Sequence, residues 1–261
     1  ISEKISNFKI NYLPLILLLV SVSWIPLIIK WHFLLKNSRI NVPLTKSIAI
    51  FFSGSAFEVT PGQIGILIKS QLLKTSSNIS RTKTVPIVIV EKIYDLIGAI
   101  LASVIGIIIL GMESYLIIIA ISVLATIFFF MYHRRSSELV FNRITKLKFF
   151  SKYIDNMSEF YEVVKKSTSV KAATICILLA LTYWFIISAA AYYTLIAFDV
   201  NLLDYLKVLA IYATSTLLGA ISFIPGGIGI TEGSIAGLFT LNGVDVSTAL
   251  ILSVMIRVLT L

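Results

Sequence analysis

The chain has 261 residues, of which 57% are hydrophobic and 13% are charged, and its formal net charge is +9. A soluble domain typically carries about 25% charged residues. The core of a soluble domain of 261 residues could not bury this much apolar surface. The composition therefore excludes a soluble globular domain and predicts a membrane protein.

Seven apolar segments follow one another along the chain. A helix of about 20 apolar residues crosses a bilayer, and most of the segments reach or approach that length. The sequence therefore predicts an all-α polytopic membrane protein. In chain order the segments are 12–29, 47–68, 84–110, 114–131, 172–198, 208–231 and 246–261.

The loops between these segments differ in charge. Residues 30–46 and 69–83 contain four Lys and Arg each and no acid, and residues 133–171 contain nine, so these loops hold 17 of the 22 basic residues. Cytoplasmic loops are enriched in Lys and Arg, so we expect a multi-pass protein of the cell membrane with these three loops in the cytoplasm. The net charge is then mainly a signal of topology. It does not predict a nucleic-acid partner, because the basic residues are not interleaved with a stacking platform.

Two of the apolar segments are interrupted by the same motif, Pro-Gly-x-Ile-Gly, at residues 61–65 and 225–229. The first motif lies between the basic loops 30–46 and 69–83, both expected in the cytoplasm. The second lies between residues 199–205 and 242–245, whose only charges are acidic and which are both expected outside. Each segment must therefore enter and leave by one side, or lie flat. Proline removes a backbone donor and glycine permits unusual dihedral angles. The sequence predicts two broken or re-entrant helical hairpins.

The two motifs also define an internal repeat. When they are aligned, Lys92 falls opposite Arg257 in the segment that follows. We interpret this as an inverted-topology repeat, with chance recurrence of a short motif as the alternative. Because each repeat needs an odd number of spans, we expect one more span before Ile1 and a fragment that lacks both ends. The parts of this organisation are a single transmembrane domain over 1–261, a first repeat over about 11–111, a second over about 114–261 and, within it, the basic cytoplasmic segment 133–171.

Charged residues lie next to the second break. A helix that restarts after Gly229 presents free N–H groups near the middle of the membrane, and such an end attracts anions, phosphate included. Glu232 falls in the first turn of that helix. It either only caps the helix, or it pairs with Arg257, with a cationic headgroup or with an ion.

A second group of charges precedes the middle of the third segment. Glu91 and Asp95 are four residues apart and share a helix face, and Lys92 lies between them. Because an intramembrane charge costs about 2.5–3.5 kcal/mol on insertion scales, we interpret the three as a functional cluster, or alternatively as side chains that extend to the membrane surface. Glu58 and Lys69 bracket the first hairpin and are expected at its rim.

No metal site and no cofactor are predicted. His32 and His133 lie beside loops, without the Cys, His or carboxylate spacing that holds a metal. Cys176, the only cysteine, is expected to be a packed thiol.

Four short motifs resemble those of one known family. They are PGGIGITEG from Pro225, KWHFLL from Lys30, PGQIGILIK from Pro61 and VEKIYDL from Val90. Together they resemble the lysylphosphatidylglycerol synthase transmembrane region family, also described as flippase-like, and the similarity covers nearly all the chain. Ile66 departs from the pattern, since the family usually has Glu there.

The resemblance implies a lipid-handling membrane domain. In lysylphosphatidylglycerol synthases this domain is associated with moving the modified lipid across the bilayer, and a separate soluble domain, which this sequence does not contain, makes that lipid. We expect a non-enzymatic protein that binds or translocates an anionic or phosphate-bearing lipid. The alternative is a membrane subunit or scaffold of a lipid-phosphate transferase of the aminoacyl-lipid or polyprenyl-phosphate sugar pathway. In that case Glu91 and Asp95 act as metal or base residues, or segment 133–171 recruits a soluble partner.

The candidate headgroup-binding residues come from both breaks and from the charged groups beside them. Membrane lipids are the expected partners, with a soluble or membrane transferase as partner under the alternative. The candidates are Pro61, Gly62, Gly65, Lys69, Glu91, Lys92, Asp95, Pro225, Gly226, Gly227, Gly229, Glu232 and Arg257.

Overall fold

A computed structural model describes residues 8–58, 60, 65–109, 121–126, 129 and 157–260. Within these ranges every regular element is a helix, which confirms the predicted all-α class. The main helices are α1 (Leu13–Asn37), α2 (Leu44–Ser55), α3 (Ile68–Ser77), α4 (Arg81–Ile109), α5 (Met157–Ser167), α6 (Val170–Ala197), α7 (Tyr205–Ile221), α8 (Ile230–Leu241) and α9 (Val246–Thr260).

Among the described residues, two helices are long and apolar enough to cross a membrane, judged by length and composition. One runs over Ile10–Asn37 and consists of α1 with the short 3-10 turn before it, and the other is α6. Each has 28 residues, which at 1.5 Å per residue gives about 42 Å. The hydrocarbon core of a bilayer is about 30 Å thick, so both helices exceed it. The helices α7 and α9 are apolar but shorter.

The first long helix extends further than the sequence predicted. The predicted segment 12–29 ends before Lys30, yet α1 continues to Asn37. The Lys30 side chain is fully buried and forms an ion pair with Asp95. Because a carboxylate 65 residues away in the chain neutralises this lysine, its charge does not end the helix.

The segment that was predicted as the first hairpin, 47–68, contains most of α2 and ends at the first residue of α3. Its first part lies in α2, which packs against α3, and α3 occupies residues that were predicted mostly as loop. α3 ends where Asn78 takes the left-handed conformation, with φ of 53°, which Asn tolerates better than most residues. Pro61 and Gly62 lie outside the described residues, as do the greater part of segment 114–131 and residues 133–156.

The second break is fully described. α7 ends at Ile221, a 3-10 turn covers Pro225–Gly227, and α8 begins after Gly229, whose φ is 84°. Gly227 has φ of 65°, and a Cβ atom there would lie 2.6 Å from the Thr231 hydroxyl oxygen. Only glycine meets both conditions without strain. The interruption predicted at Pro225 is thus observed, whereas re-entrant insertion and the inverted repeat stay predictions.

The chain divides into two compact units. The first-hairpin unit comprises Ile28–Ile97 and Ile119–Leu179, and it contains α2, α3 and α5. The second-hairpin unit comprises Ile1–Leu27, Gly98–Ile118 and Ala180–Leu261, and in it α8 packs against both α7 and α9.

Candidate functional site

The second break is held by an ion pair between α8 and α9. Glu232 lies in the first turn of α8 and Arg257 in the last turn of α9. The Arg257 Nε donates to Glu232 Oε1 at 3.0 Å, and Arg257 Nη2 donates to the carbonyl oxygen of Gly226. The Arg257 side chain is 10% exposed and that of Glu232 is 20% exposed. One arginine therefore fixes both the turn and the helix that follows it.

Glu232 also caps α8. Its Oε2 accepts a hydrogen bond of 2.6 Å from the backbone N–H of Gly229, the N-cap residue. A carboxylate in the first turn of a helix is stabilised by the partial positive charge of the N-terminus. Glu232 therefore does not only cap the helix, since it also pairs with Arg257. The carboxylate thus occupies the helix end that the sequence predicts as a phosphate site.

Exposed apolar side chains flank the turn that precedes Glu232. Six of them precede or follow the turn, and Phe223, with a φ of 56°, is 73% exposed. A charged pair next to exposed apolar side chains is chemically complementary to a lipid, which joins a charged headgroup to hydrocarbon. The six are Leu218, Ile221, Phe223, Ile224, Ile228 and Ile230.

The first-hairpin unit contains a sealed ion pair. Lys69, in the first turn of α3, has its Nζ at 3.0 Å from each carboxylate oxygen of Glu91 on α4. Neither side chain is more than 2% exposed. The ammonium lies 5.0 Å from the ring centroid of Trp31 and 4.6 Å from that of Phe51, so two cation–π contacts complete its surroundings. Gly54 leaves the space that the stem of Lys69 fills, since a Cβ atom there would lie 2.3 Å from Lys69 Cγ.

A second set of charges in this unit is open to the surface. Asp95 pairs with Lys30 through one carboxylate oxygen, and its other oxygen lies 3.6 Å from the Nζ of Lys92. Lys92 in turn donates to Glu58 at 2.7 Å. The side chains of Lys92, Asp95 and Glu58 are 22%, 25% and 34% exposed. With the Lys69–Glu91 pair, the cluster has three cations and three carboxylates, so it is electrically balanced.

The structure corrects two expectations about these residues. Lys69 is buried and does not lie at a rim, because Glu91 and two aromatic rings provide the environment that water would otherwise supply. Glu91 is 1% exposed and does not extend to the membrane surface. The sequence reading missed Lys30, although one signal was present: no proline or glycine interrupts the chain between Lys30 and Asn37.

The remaining candidates are placed as follows. Gly65 donates its N–H to the Thr60 hydroxyl at 2.8 Å, and Pro61 and Gly62 are outside the described ranges. Among the residues described, no group of three or more His, Cys, Asp or Glu side chains is arranged to hold a metal ion. The carboxylates of Glu91 and Asp95 both pair with lysines, so neither is a free base. Cys176 is a buried thiol.

Comparison with known proteins gives one family. The model of the family described as lysylphosphatidylglycerol synthase TM region matches residues 1–261. A UPF0104 membrane protein of Pyrococcus horikoshii is 27% identical over 282 aligned residues, which cover 96% of this chain and 83% of that protein. A UPF0104 membrane protein of Methanocaldococcus jannaschii is 25% identical over 210 residues, covering 77% of this chain and 86% of that protein. No solved structure matches the chain.

Proposed function

The chain belongs to the lysylphosphatidylglycerol synthase transmembrane region family, and we propose that this membrane protein binds a phosphate-bearing lipid by its headgroup at the Arg257–Glu232 pair and moves it across the bilayer. The observation that carries the proposal is this ion pair, which lies at a helix break beside exposed apolar side chains. Intramembrane charges are costly and commonly mark the path of a polar substrate.

The Glu232 carboxylate already accepts hydrogen bonds from the kind of donors that a phosphate needs. The guanidinium of Arg257 and the N–H of Gly229 both donate to the Glu232 carboxylate. Arginine and helix N-termini are also the groups that bind phosphate in proteins. Glu232 therefore stands where an anion would bind, and a phosphate would replace it at donors that are already in position. No uncompensated cation has to be buried while the site is empty.

In this proposal the carboxylate competes with the substrate. A headgroup that enters displaces Glu232 from Arg257, and the return of Glu232 releases the headgroup. The exposed side chains that flank the turn accommodate the hydrocarbon of the same lipid. In the other unit, the sealed Lys69–Glu91 pair holds α3 on α4 and has no part in this exchange.

The test uses the full-length protein in proteoliposomes and follows labelled phospholipids and polyprenyl phosphates across the bilayer. Arg257→Ala is expected to lower both lipid binding and transbilayer movement at least about tenfold. Glu232→Gln is expected to lower movement but raise the amount of retained lipid, because the neutral amide competes weakly with phosphate. Arg257→Lys keeps the charge but loses the planar fork, so an intermediate rate is expected.

A matched control separates charge loss from site loss. Lys207 lies in the same unit and pairs with Asp204 at the start of α7, with 35% of its side chain exposed. Lys207→Gln should leave both binding and movement unchanged. Folded protein that moves no lipid would refute translocation and favour the subunit or scaffold alternative. A product formed by the purified protein alone would favour a transferase.

A further inference from the structure

Four exposed cations lie at one end of the first-hairpin unit. Two are at the end of α1, Lys36 and Arg39, and two flank the junction of α5 with α6, Lys165 and Lys171. We call them the basic corner. We propose that the basic corner binds the phosphate of an anionic membrane lipid, as a site separate from the Arg257–Glu232 pair. The proposal does not depend on the proposed function.

Buried polar contacts hold the two parts of the corner together. The Asn37 side chain donates to the carbonyl oxygen of Lys166 at 2.7 Å, and the hydroxyls of Ser38 and Ser167 are 3.3 Å apart. The Tyr94 hydroxyl of α4 donates to the carbonyl oxygen of Ser167 at 2.8 Å. The backbone next to all four cations is therefore fixed.

The cations of the corner have no carboxylate partner in the part of the chain that the structure describes. Neighbouring lysines at the same end do: Lys83 pairs with Glu159 at 3.1 Å, and Lys166 with Glu162 at 3.7 Å. Lys171 lies in the first turn of α6, where the partial charge of the helix is also positive. Like charges that share one end of the unit repel one another, and a bound anion relieves this repulsion.

Apolar residues on the helix faces that carry Lys36 and Lys171 indicate that the anion is a lipid. Lys36 follows Ile29 by seven residues on α1, and Lys171 precedes Leu178 by seven on α6, so each lysine shares a helix face with an apolar residue about 10 Å away. Ile29 is 50% exposed and Leu178 is 58% exposed. A phosphate at the lysines and hydrocarbon against Ile29 and Leu178 fit one phospholipid. An acidic soluble protein would use the charges but leave both apolar residues uncovered.

The experiment measures the affinity of the full-length protein in detergent for a fluorescent phosphatidylglycerol, with phosphatidylcholine as the neutral probe. A Lys near an anionic lipid surface contributes about fivefold in affinity. Changing all four cations of the corner to Gln should therefore weaken phosphatidylglycerol binding by well over tenfold and leave phosphatidylcholine binding unchanged. The single variants Lys36→Gln and Lys171→Gln should each weaken it about fivefold, and they serve if the quadruple variant folds poorly.

Controls define the outcomes that overturn the proposal. The double variant Lys83→Gln/Lys166→Gln removes two cations that have carboxylate partners at the same end, and it should change affinity less than about twofold. An equal loss in this control, or no loss in the quadruple variant, would refute the site. Glycerol 3-phosphate competing as well as the lipid would indicate a free phosphate site. Poly-glutamate binding more tightly than the lipid would indicate an acidic protein partner. All of these affinities are measured in the Arg257→Ala background, so that the Arg257–Glu232 pair does not contribute to the lipid binding that is measured.

Discussion

The two hairpin units both join a hairpin helix to the next helix by an ion pair, but the pairs differ in polarity and in exposure. In the first-hairpin unit, α3 supplies the cation, Lys69, and α4 the carboxylate, Glu91, and neither is more than 2% exposed. In the second, α8 supplies the carboxylate, Glu232, and α9 the cation, Arg257, and these are 20% and 10% exposed.

The surroundings of the two pairs differ as well. Aromatic rings and the space left by Gly54 enclose Lys69, whereas the other pair lies at a turn whose flanking residues are largely exposed. A sealed pair cannot exchange partners without unfolding its surroundings, whereas a partly open one can. Charge in an apolar chain therefore serves two purposes here, fastening in one unit and, in our proposal, binding in the other.

The largest effect on stability is expected for Lys69→Met, which removes the cation of the sealed pair. The change leaves Glu91 buried without a counter-charge, and breaking a buried pair costs about 3–5 kcal/mol. The free energy of unfolding, measured by denaturant titration in detergent, should fall by this amount. Lys74→Met, on the exposed side of the same helix, is the matched control and should have little effect. The double variant Lys69→Met/Glu91→Met should recover most of the loss, because an apolar pair replaces a buried ion pair well. A loss of under about 1 kcal/mol in the single variant would contradict the fastening role.

Gly54→Ala tests the packing of the same pair. The new Cβ atom would lie within 2.9 Å of three carbon atoms of the buried Lys69 stem, and such overpacking costs about 1–3 kcal/mol. In a Lys69→Ala background the clash is absent, and the same change should stabilise α2 by about 1 kcal/mol because Ala is the better helix former. This reversal of sign is measured in the same unfolding experiment. Equal effects in both backgrounds would show that Lys69 is not what limits the space at Gly54.

These pairs also show what sequence could and could not predict. The helices α1, α4 and α6 were predicted because a long apolar run is a local property of the chain. The break at Pro225 was predicted for the same reason, since Pro and Gly restrict or free the backbone where they stand. The burial of Lys30 was not predicted, because its partner Asp95 is distant in sequence and only the packed structure brings them together.

The candidate site follows the same division. Glu232 could be assigned to the first turn of a helix from its position after Gly229, which is local information. Arg257 was singled out as the one charge in segment 246–261 and by its alignment with Lys92, whereas only the packed structure shows its contact with Glu232. The aromatic surroundings of Lys69 came from Trp31 and Phe51 on two other helices, and no sequence pattern connects these three residues.

Glu232→Gln tests the partly exposed pair of the second-hairpin unit. The pair with Arg257 is partly exposed, so its loss together with a weaker helix cap should reduce the free energy of unfolding by only roughly 1 kcal/mol. Lipid movement should nevertheless fall strongly, as proposed above. The two variants should therefore differ in what they impair: Lys69→Met mainly lowers the free energy of unfolding, and Glu232→Gln mainly lowers lipid movement. A loss of stability equal to that of Lys69→Met would place the second pair in the fastening class too.

The smallest effect is expected at an ion pair with no enclosure. Lys9, just before the first long helix, pairs with Asp199 after α6, and their side chains are 49% and 63% exposed. The hydrogen bond to Asp199 raises the pKa of Lys9 above its usual 10.5, so the folded protein holds this proton more tightly than the unfolded chain. The resulting stabilisation is present below pH 10.5 and is lost as the pH rises through the raised pKa. Asp199→Asn should therefore lower the melting temperature slightly at pH 8 and not at all at the highest pH that the protein tolerates. Asn accepts the positive φ of 59° found at this position, so backbone strain does not enter the comparison. A difference in melting temperature that stays constant with pH would mean that Asp199 acts through its backbone position and not through its charge. The exposed Lys9–Asp199 pair would then not serve as the weakest case in the relation between enclosure of an ion pair and its contribution to stability.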